Sequence, residues 1–389
     1  MSDPRISGIG LTYFGKESER TGRDLFAEAG LAALDDAGVA PGDVEAVYYG
    51  NFMGEMAEHQ GHEAPLMAEA IGADGVAATR YESACASAGT AARQGVRDVR
   101  SGEADLVVVG GAERMTNIGT AGATEALSIA ADDLYEVNMG MTFPGAYALM
   151  ARAYFEEFGG GPEDLAHIAV KNHDNALVNE HAQLQREITV EDHAEAPPLA
   201  SPLGLYDACP ITDGAAAAVL ASPEYAAEHG LDETVAVTGT GQGGDRLALQ
   251  DREYLARTPA AERAAAEAYA DAGIGPEDVD FAEVHDCFTI AEVLAIEALD
   301  FFAPGEGLTA ARTGLTTRDG DLPINLSGGL KAKGHPVGAT GVSQLVELTR
   351  LLRGTHPRAD AVEGATTALA HNAGGTVAST TVHVLEVTQ

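Results

Sequence analysis

Leu34-Asp-Asp-Ala-Gly-Val-Ala-Pro-Gly-Asp-Val44 is written a second time, 235 residues on and without a gap, as Tyr269-Ala-Asp-Ala-Gly-Ile-Gly-Pro-Glu-Asp-Val279. In each copy an amphipathic helix pattern ends at Ala-Gly, where glycine is the usual C-terminal stop. A Pro-x-Asp turn follows and leads into a short apolar run, predicted as strands at 46–50 and 281–285. A second pairing comes in the same order. Residues 88–99 read as a helix before a strand at 106–110, and 342–353 read as its counterpart. Two matches in one order imply a duplicated α/β domain. The stretch 117–201 fits neither copy: it has an irregular start, helix patterns near 145–158 and 162–180, and a loop with three prolines at 195–202. The reading is therefore a first half over 1–116 and 202–230, an insertion at 117–201, and a second half over 231–389.

The chain has 389 residues, 60 of them acidic and 23 basic, for a net charge of -37. Only four are lysines: Lys16, Lys171, Lys331 and Lys333. The acids are spread through segments with apolar periodicity, so they imply a folded protein with an acidic, hydrated surface, as in proteins from a high-salt cytoplasm, rather than a disordered tail. Such a surface argues against nucleic acid and anionic membrane as partners. No run reaches the ~20 apolar residues of a membrane helix, and residues 1–10 lack the pattern of a signal peptide. Three cysteines without framework spacing suit a reducing, cytoplasmic setting.

Four segments could carry chemistry. In Tyr81-Glu-Ser-Ala-Cys-Ala-Ser-Ala-Gly-Thr90, Cys85 stands among small residues at the expected start of a helix, where the dipole and free N–H groups favour a thiolate. A buried filler cysteine is the plainer reading of that stretch alone. Asn325-Leu-Ser-Gly-Gly-Leu-Lys-Ala-Lys-Gly-His-Pro-Val-Gly-Ala-Thr-Gly341 holds five glycines and one histidine before the second half's matching helix. By the repeat, His335 and Cys85 should face one interface, and a base beside a thiol activates it. Glu283-Val-His-Asp-Cys-Phe-Thr-Ile-Ala291 puts His285 and Cys287 two apart, on one face of an extended backbone. A zinc site there would need two more ligands, and none is local. Ala370-His-Asn-Ala-Gly-Gly-Thr376 reads as a glycine turn after a strand, either an ordinary tight turn or an anion nest.

Together with Gly110-Gly-Ala-Glu-Arg-Met115, these motifs resemble, in order and over essentially the whole chain, the thiolase superfamily. His-Asp-Cys-Phe is similar to the branch of archaeal and sterol-carrier-protein-type thiolases. Most other members carry Asn-Glu-Ala-Phe there and a second catalytic cysteine in the terminal glycine loop, where this chain has His371. The resemblance implies a five-layer αβαβα fold with an inserted loop domain. It implies reversible Claisen condensation of acyl-CoA thioesters, with acetyl-CoA as the simplest substrate and CoA as substrate and product. No metal and no redox cofactor is expected. Cys85 would be the nucleophile, His335 its base, and Cys287 the base at the second substrate. His335, with His285 or a water that His285 orients, would hold the enolate oxygen, and backbone N–H groups of Cys85, Ala373 and Gly374 would form the oxyanion hole. His371 lies nearby without an assigned step. Asn138 stands where many members have histidine. A homodimer or tetramer is implied, together with a small OB-fold and zinc-ribbon subunit and, in some organisms, hydroxymethylglutaryl-CoA synthase.

Two readings compete. A non-catalytic acyl-CoA-binding scaffold would account for the missing terminal-loop cysteine, but not for Cys85, His335, His285 and Cys287 together. A ketoacyl-synthase-like condensing enzyme would not need Cys287. Gly239-Thr-Gly-Gln-Gly-Gly244 matches a dinucleotide pattern without the βαβ context, and His59 with His62 reads as a solvated loop. Cys209 reads as structural.

Overall fold

The computed structural model describes residues 3–17 and 19–388. The duplicated stretch folds as two copies of one unit. Helix α1 (Gly22–Ala37) ends at Gly38, at φ 70°. The 3-10 turn Pro41–Asp43 follows, closed by an Ala40 N–H bond to the Asp43 carboxylate at 3.1 Å. In the second copy the helix Pro259–Ala272 ends at Gly273, at φ 75°, and the Asp278 carboxylate accepts from Gly275 N–H at 2.8 Å. Glycine takes the left-handed position that ends each helix, and the aspartate ties the turn that aims the next strand.

Nine strands make the main sheet: β1 (Arg5–Leu11), β2 (Ala46–Gly50), β3 (Ala77–Tyr81), β4 (Leu106–Glu113), β5 (Gly214–Ala221), β6 (Val235–Gly244), β7 (Phe281–Glu283), β8 (Thr367–Gly374) and β9 (Ser379–Val387). Their order is β3-β2-β4-β5-β1-β6-β9-β8-β7. The halves meet where Arg5 pairs Ala236, and each repeats one pattern. β2 runs parallel to β4, which is antiparallel to β5, which is antiparallel to β1. β7 runs parallel to β8, which is antiparallel to β9, which is antiparallel to β6. The edge strand β3 has only a vestige in the second half, the single bridge from Ala282 to Ile324.

Three apolar clusters give the layers. One outer cluster joins α1 and the helix Glu63–Ala70 to one face of the first half's strands, through Phe26, Met67, Val108 and Val219. The central cluster joins the helices Ser87–Ser101 and Thr340–Leu352 to the inner faces of both halves. The other outer cluster packs Pro259–Ala272 and Thr289–Ala298 on the second half's strands, through Ala264, Ile296 and Val384. The order is α-β-α-β-α, as the resemblance implied. The two central helices touch backbone to backbone: a Cβ on Gly341 would sit 2.3 Å from Gly89 N. No side chain fits on Gly341 at that crossing, and a Cβ on Gly89 would sit 2.2 Å from Thr381 Oγ1, so both positions need glycine.

Helices Phe143–Phe158 and Pro162–Ala176, inside the stretch that interrupts the first half, pack with Thr289–Ala298 in a further cluster that includes Cys287 and Phe288. Two sequence expectations need correction. The second copy's strand stops at Glu283, which leaves His285 and Cys287 in the following loop. β8 runs on through Gly374, so His371 lies within a strand rather than in a turn. The Gly239–Gly244 pattern lies inside β6, where no dinucleotide loop forms. No helix is long and apolar enough to cross a membrane among the described residues.

Candidate active site

The site forms where the N-termini of the two central helices meet. Cys85 sits two residues before the helix Ser87–Ser101, on a turn whose preceding residue, Ala84, has φ 48°. A non-glycine residue there needs outside support. Ala84 N–H donates to the Glu82 carboxylate at 2.6 Å, Ser87 Oγ donates to Ala84 O at 2.6 Å, and Ser83 N–H donates to Ser87 Oγ at 2.9 Å. The small residues in the motif therefore hold the elbow as well as leaving room around the thiol.

His335 comes from the glycine-rich segment by way of the single turn of π-helix Gly329–Lys333. Asp286 fastens that turn, accepting from Leu330 N–H at 2.6 Å, Lys331 N–H at 3.2 Å and Asn172 Nδ2 at 2.7 Å. A Cβ on Gly329 would lie 2.3 Å from the same carboxylate. Glu113 ties the halves together, accepting from Asn51 Nδ2, from Phe52 and Met53 N–H, and from Gly338 N–H at 3.1 Å.

The fold brings Cys85, His285 and His335 together: Sγ and one ring nitrogen of each histidine all lie within 4.8 Å of one another. The two rings stand 5.0 Å apart, edge to face. Hydrogen bonds fix which nitrogen carries each proton. Thr340 Oγ1 donates to Pro336 O at 3.1 Å, so it accepts from His335 Nδ1–H at 2.7 Å. His335 Nε2 is left with a lone pair. Asn372 Nδ2 donates to Cys85 O at 2.9 Å and to His285 Nδ1 at 3.2 Å. The proton of His285 is therefore on Nε2, which is buried and has no partner. The site thus holds one acceptor nitrogen and one donor nitrogen beside a thiol.

Burial sets the resting charge state. It pushes the Cys85 thiol up to about 12, against the smaller pull of backbone N–H groups of Gly375 and Cys85 aimed at the sulfur. Burial likewise lowers His335 to about 3 and His285 well below the usual histidine range. The helix start does not make Cys85 a resting thiolate, as the sequence had suggested. Desolvation outweighs the backbone N–H groups aimed at the sulfur, and thiol and imidazole are both neutral.

Cys287 adjoins this group without joining it. Its thiol is held well above the ordinary range by burial first, then by Cys209 nearby, while contact with the Tyr147 hydroxyl works the other way. Tyr147 stacks on Phe288 at 4.6 Å and donates to Gly375 O at 3.0 Å. Cys209 is paired to the same loop, its N–H donating to Cys287 O at 3.0 Å. The backbone donor that reaches Cys85 Sγ across the site belongs to Gly375, one residue beyond the expected Ala373–Gly374 pair. Ala373 instead packs on the outer side of the sheet with Ala260 and Ala298. His371 shares that parity of β8. It touches the site only through Nδ1, which accepts from His285 N–H at 3.3 Å. Asn138 is exposed, with Asp133 as its partner.

Asn372, Thr340, Tyr147 and Gly375 were missed as site residues. Asn372 stood next to a named residue, and only the strand parity, which the misplaced strand end concealed, separated the two. Beside the Cys85 elbow lies an open cleft of about 680 Å³, lined by Phe52, Arg80, Ser83, Leu247, Gly375 and Ser379 among others. His59 and His62 are exposed and form no ligand cluster among the described residues.

Residues 6–224 match the family described as Thiolase, N-terminal domain, and residues 241–387 match Thiolase C-terminal domain-like. An acetyl-CoA acetyltransferase of Methanothermobacter thermautotrophicus is 42% identical over 384 residues, 99% of both chains. Sterol carrier protein 2 of Gallus gallus is 32% identical over 95% of this chain and 69% of its own length. A solved structure titled Ltp2-ChsH2(DUF35) aldolase superposes with a TM-score of 0.84 at 28% identity, covering 99% of this chain and 98% of that one. With two domain matches spanning nearly the whole sequence and a relative of equal length, the chain belongs to the thiolase family, in the branch of archaeal and sterol-carrier-protein-type members, and is an acyltransferase.

Proposed function

We propose that the chain catalyses the reversible condensation of two acetyl-CoA to acetoacetyl-CoA and CoA through an S-acetyl intermediate on Cys85. The observation that carries this reading is the meeting of Cys85, His285 and His335 within 4.8 Å, with the Cys287 thiol beside them. His335 Nε2, which has the free lone pair, takes the Cys85 proton as the sulfur attacks the thioester carbonyl, and CoA leaves with a proton. Backbone N–H groups of Cys85 and Gly375 are aimed at the sulfur, close to where the carbonyl oxygen develops charge. His335, neutral again after giving its proton to the leaving CoA, takes up the thiol proton of Cys287, and the Cys287 thiolate removes a proton from the α-carbon of the second acetyl-CoA. The His285 Nε2–H, buried and unpartnered, supplies a donor to the enolate oxygen. The enolate carbon attacks the acetyl-Cys85 carbonyl, the C–S bond breaks, and the thiolate recovers its proton from His335. Every step is assigned to groups of the chain and its thioester substrates.

The name of the relative from Methanothermobacter thermautotrophicus supports acetyl-CoA as substrate. The edge strand β3 offers the first half a pairing surface for a homodimer or tetramer. The DUF35 partner named in the solved relative supports a small OB-fold and zinc-ribbon subunit, and hydroxymethylglutaryl-CoA synthase is a further candidate partner. The net charge of -37 and the archaeal relative support a halophilic archaeal cytoplasm.

Assays of acetyl-CoA condensation and acetoacetyl-CoA thiolysis test the reaction directly. With Cys287→Ala, incubation with acetoacetyl-CoA or acetyl-CoA should leave one acetyl group on Cys85 by mass spectrometry from the latter only, with no carbon–carbon bond made or broken. Wild-type turnover in that variant would move the base to another residue. Failure of both wild-type reactions, with and without the small subunit, would favour the scaffold.

A further inference from the structure

The catalytic group also has the make-up of a metal site that no single segment of the chain contains. We propose that Cys85, His285 and His335 bind one thiophilic divalent cation, Zn²⁺ or Co²⁺, which blocks the nucleophile. One sulfur and two imidazole nitrogens is a donor set that zinc uses when it keeps a fourth position for water. Zinc bonds of about 2.3 Å to sulfur and about 2.1 Å to nitrogen put tetrahedral donors about 3.4–3.6 Å apart, so atoms already within 4.8 Å need close by only about 1 Å. His335 is prepared for such a role. Thr340 holds the proton on Nδ1 and leaves Nε2 as the ligand atom. This is the outer hydrogen bond that orients metal-bound histidines elsewhere. His285 Nε2 is buried and unpartnered. For it to bind, its proton must move to Nδ1, and Asn372 must turn its Oδ1, also buried and unpartnered, toward that proton. Cys85 loses its proton to solvent. The metal then holds a thiolate that cannot attack a thioester. The charge of -37 raises the concentration of cations around the protein.

The measurement is made on the intact chain at high salt without substrate, so it stands or falls independently of the acetyl-transfer reading. Titration with Co²⁺ should give one equivalent of thiolate-to-cobalt charge-transfer absorption. Zn²⁺ should displace that absorption, protect Cys85 from iodoacetamide, and be reversed by a chelator. Cys85→Ser, or prior alkylation of Cys85 in the folded protein, should abolish the absorption, while Cys209→Ser should leave it. Thr340→Val should weaken cobalt binding by about 10–100-fold through the lost outer bond. His335→Gln should weaken it at least as much. Absence of the charge-transfer band, or a band that survives in Cys85→Ser, would overturn the site.

Discussion

Asn372 Nδ2 donates to His285 Nδ1 at 3.2 Å, and the same amide holds the carbonyl of Cys85 at 2.9 Å. One side chain thus sets the tautomer of a catalytic histidine and the position of the nucleophile's backbone. Because the proton is kept on Nε2, His285 faces the site as a donor. Replacing Asn372 with aspartate keeps the shape but reverses the bond: a carboxylate accepts from Nδ1–H and leaves Nε2 with a lone pair toward the enolate. Asn372→Asp should lower kcat for acetoacetyl-CoA thiolysis by about 10²–10³, the usual loss for an oxyanion donor. Circular dichroism should show the fold intact. A loss under about threefold would remove His285 from this role.

The neutral state of Cys85 makes a second expectation. A thiol raised from 9.0 to about 12 has about 10³ less thiolate near neutral pH than an ordinary cysteine. Without substrate, iodoacetamide should modify Cys85 slowly. The rate should climb about tenfold per pH step through pH 9 without a plateau. A plateau below pH 8 would show a resting thiolate and would reassign the thiol–imidazole pair as ionised.

Glu63 offers a pH test away from the site. It is buried 3.6 Å from Arg80, and burial followed by repulsion from Glu113 raises it from 4.5 to about 8. A carboxyl raised on folding stabilises fully below its unfolded value, and that contribution is lost as pH rises through the folded one. The loss therefore falls between about pH 4.5 and pH 8. Glu63→Gln mimics the protonated acid. Its Tm relative to wild type should be nearly unchanged at pH 5, rise steadily toward pH 8, and level off above. A difference that does not depend on pH would mean that Glu63 is ionised throughout.

Salt should act on the whole molecule. Three of the four lysines, Lys171, Lys331 and Lys333, are buried, two of them paired with Glu292 and Glu347. The exposed positive charge is therefore almost all arginine, set against an excess of 37 negative charges. Surface ion pairs such as Arg23–Glu69 weaken in salt, but each is worth only about 0–1 kcal/mol. Relief of the general repulsion should dominate as the screening length falls from ~10 Å at about 0.1 M to ~3 Å at about 1 M. Tm should rise over that range, and a flat or falling Tm would contradict the reading.

The sequence by itself determined the duplicated architecture and the two elbows that carry Cys85 and His335. The signals are local: a glycine that ends a helix, an aspartate that closes a turn, and an apolar period that marks the buried face. Local physics also ruled out the dinucleotide loop, since Gly239–Gly244 has no βαβ setting and lies inside a strand. Only the tertiary structure decided what those local signals leave open. The continuation of β8 through Gly374 decided that Asn372, and not His371, faces Cys85, because neighbouring side chains of a strand point to opposite faces. Burial decided the charge of the thiol, since desolvation comes from every layer packed around it and the helix dipole from one element alone. The contact of Gly89 with Gly341 decided the distance between the two halves of the site. That contact joins residues from both copies of the repeat, and neither copy contains the information about it.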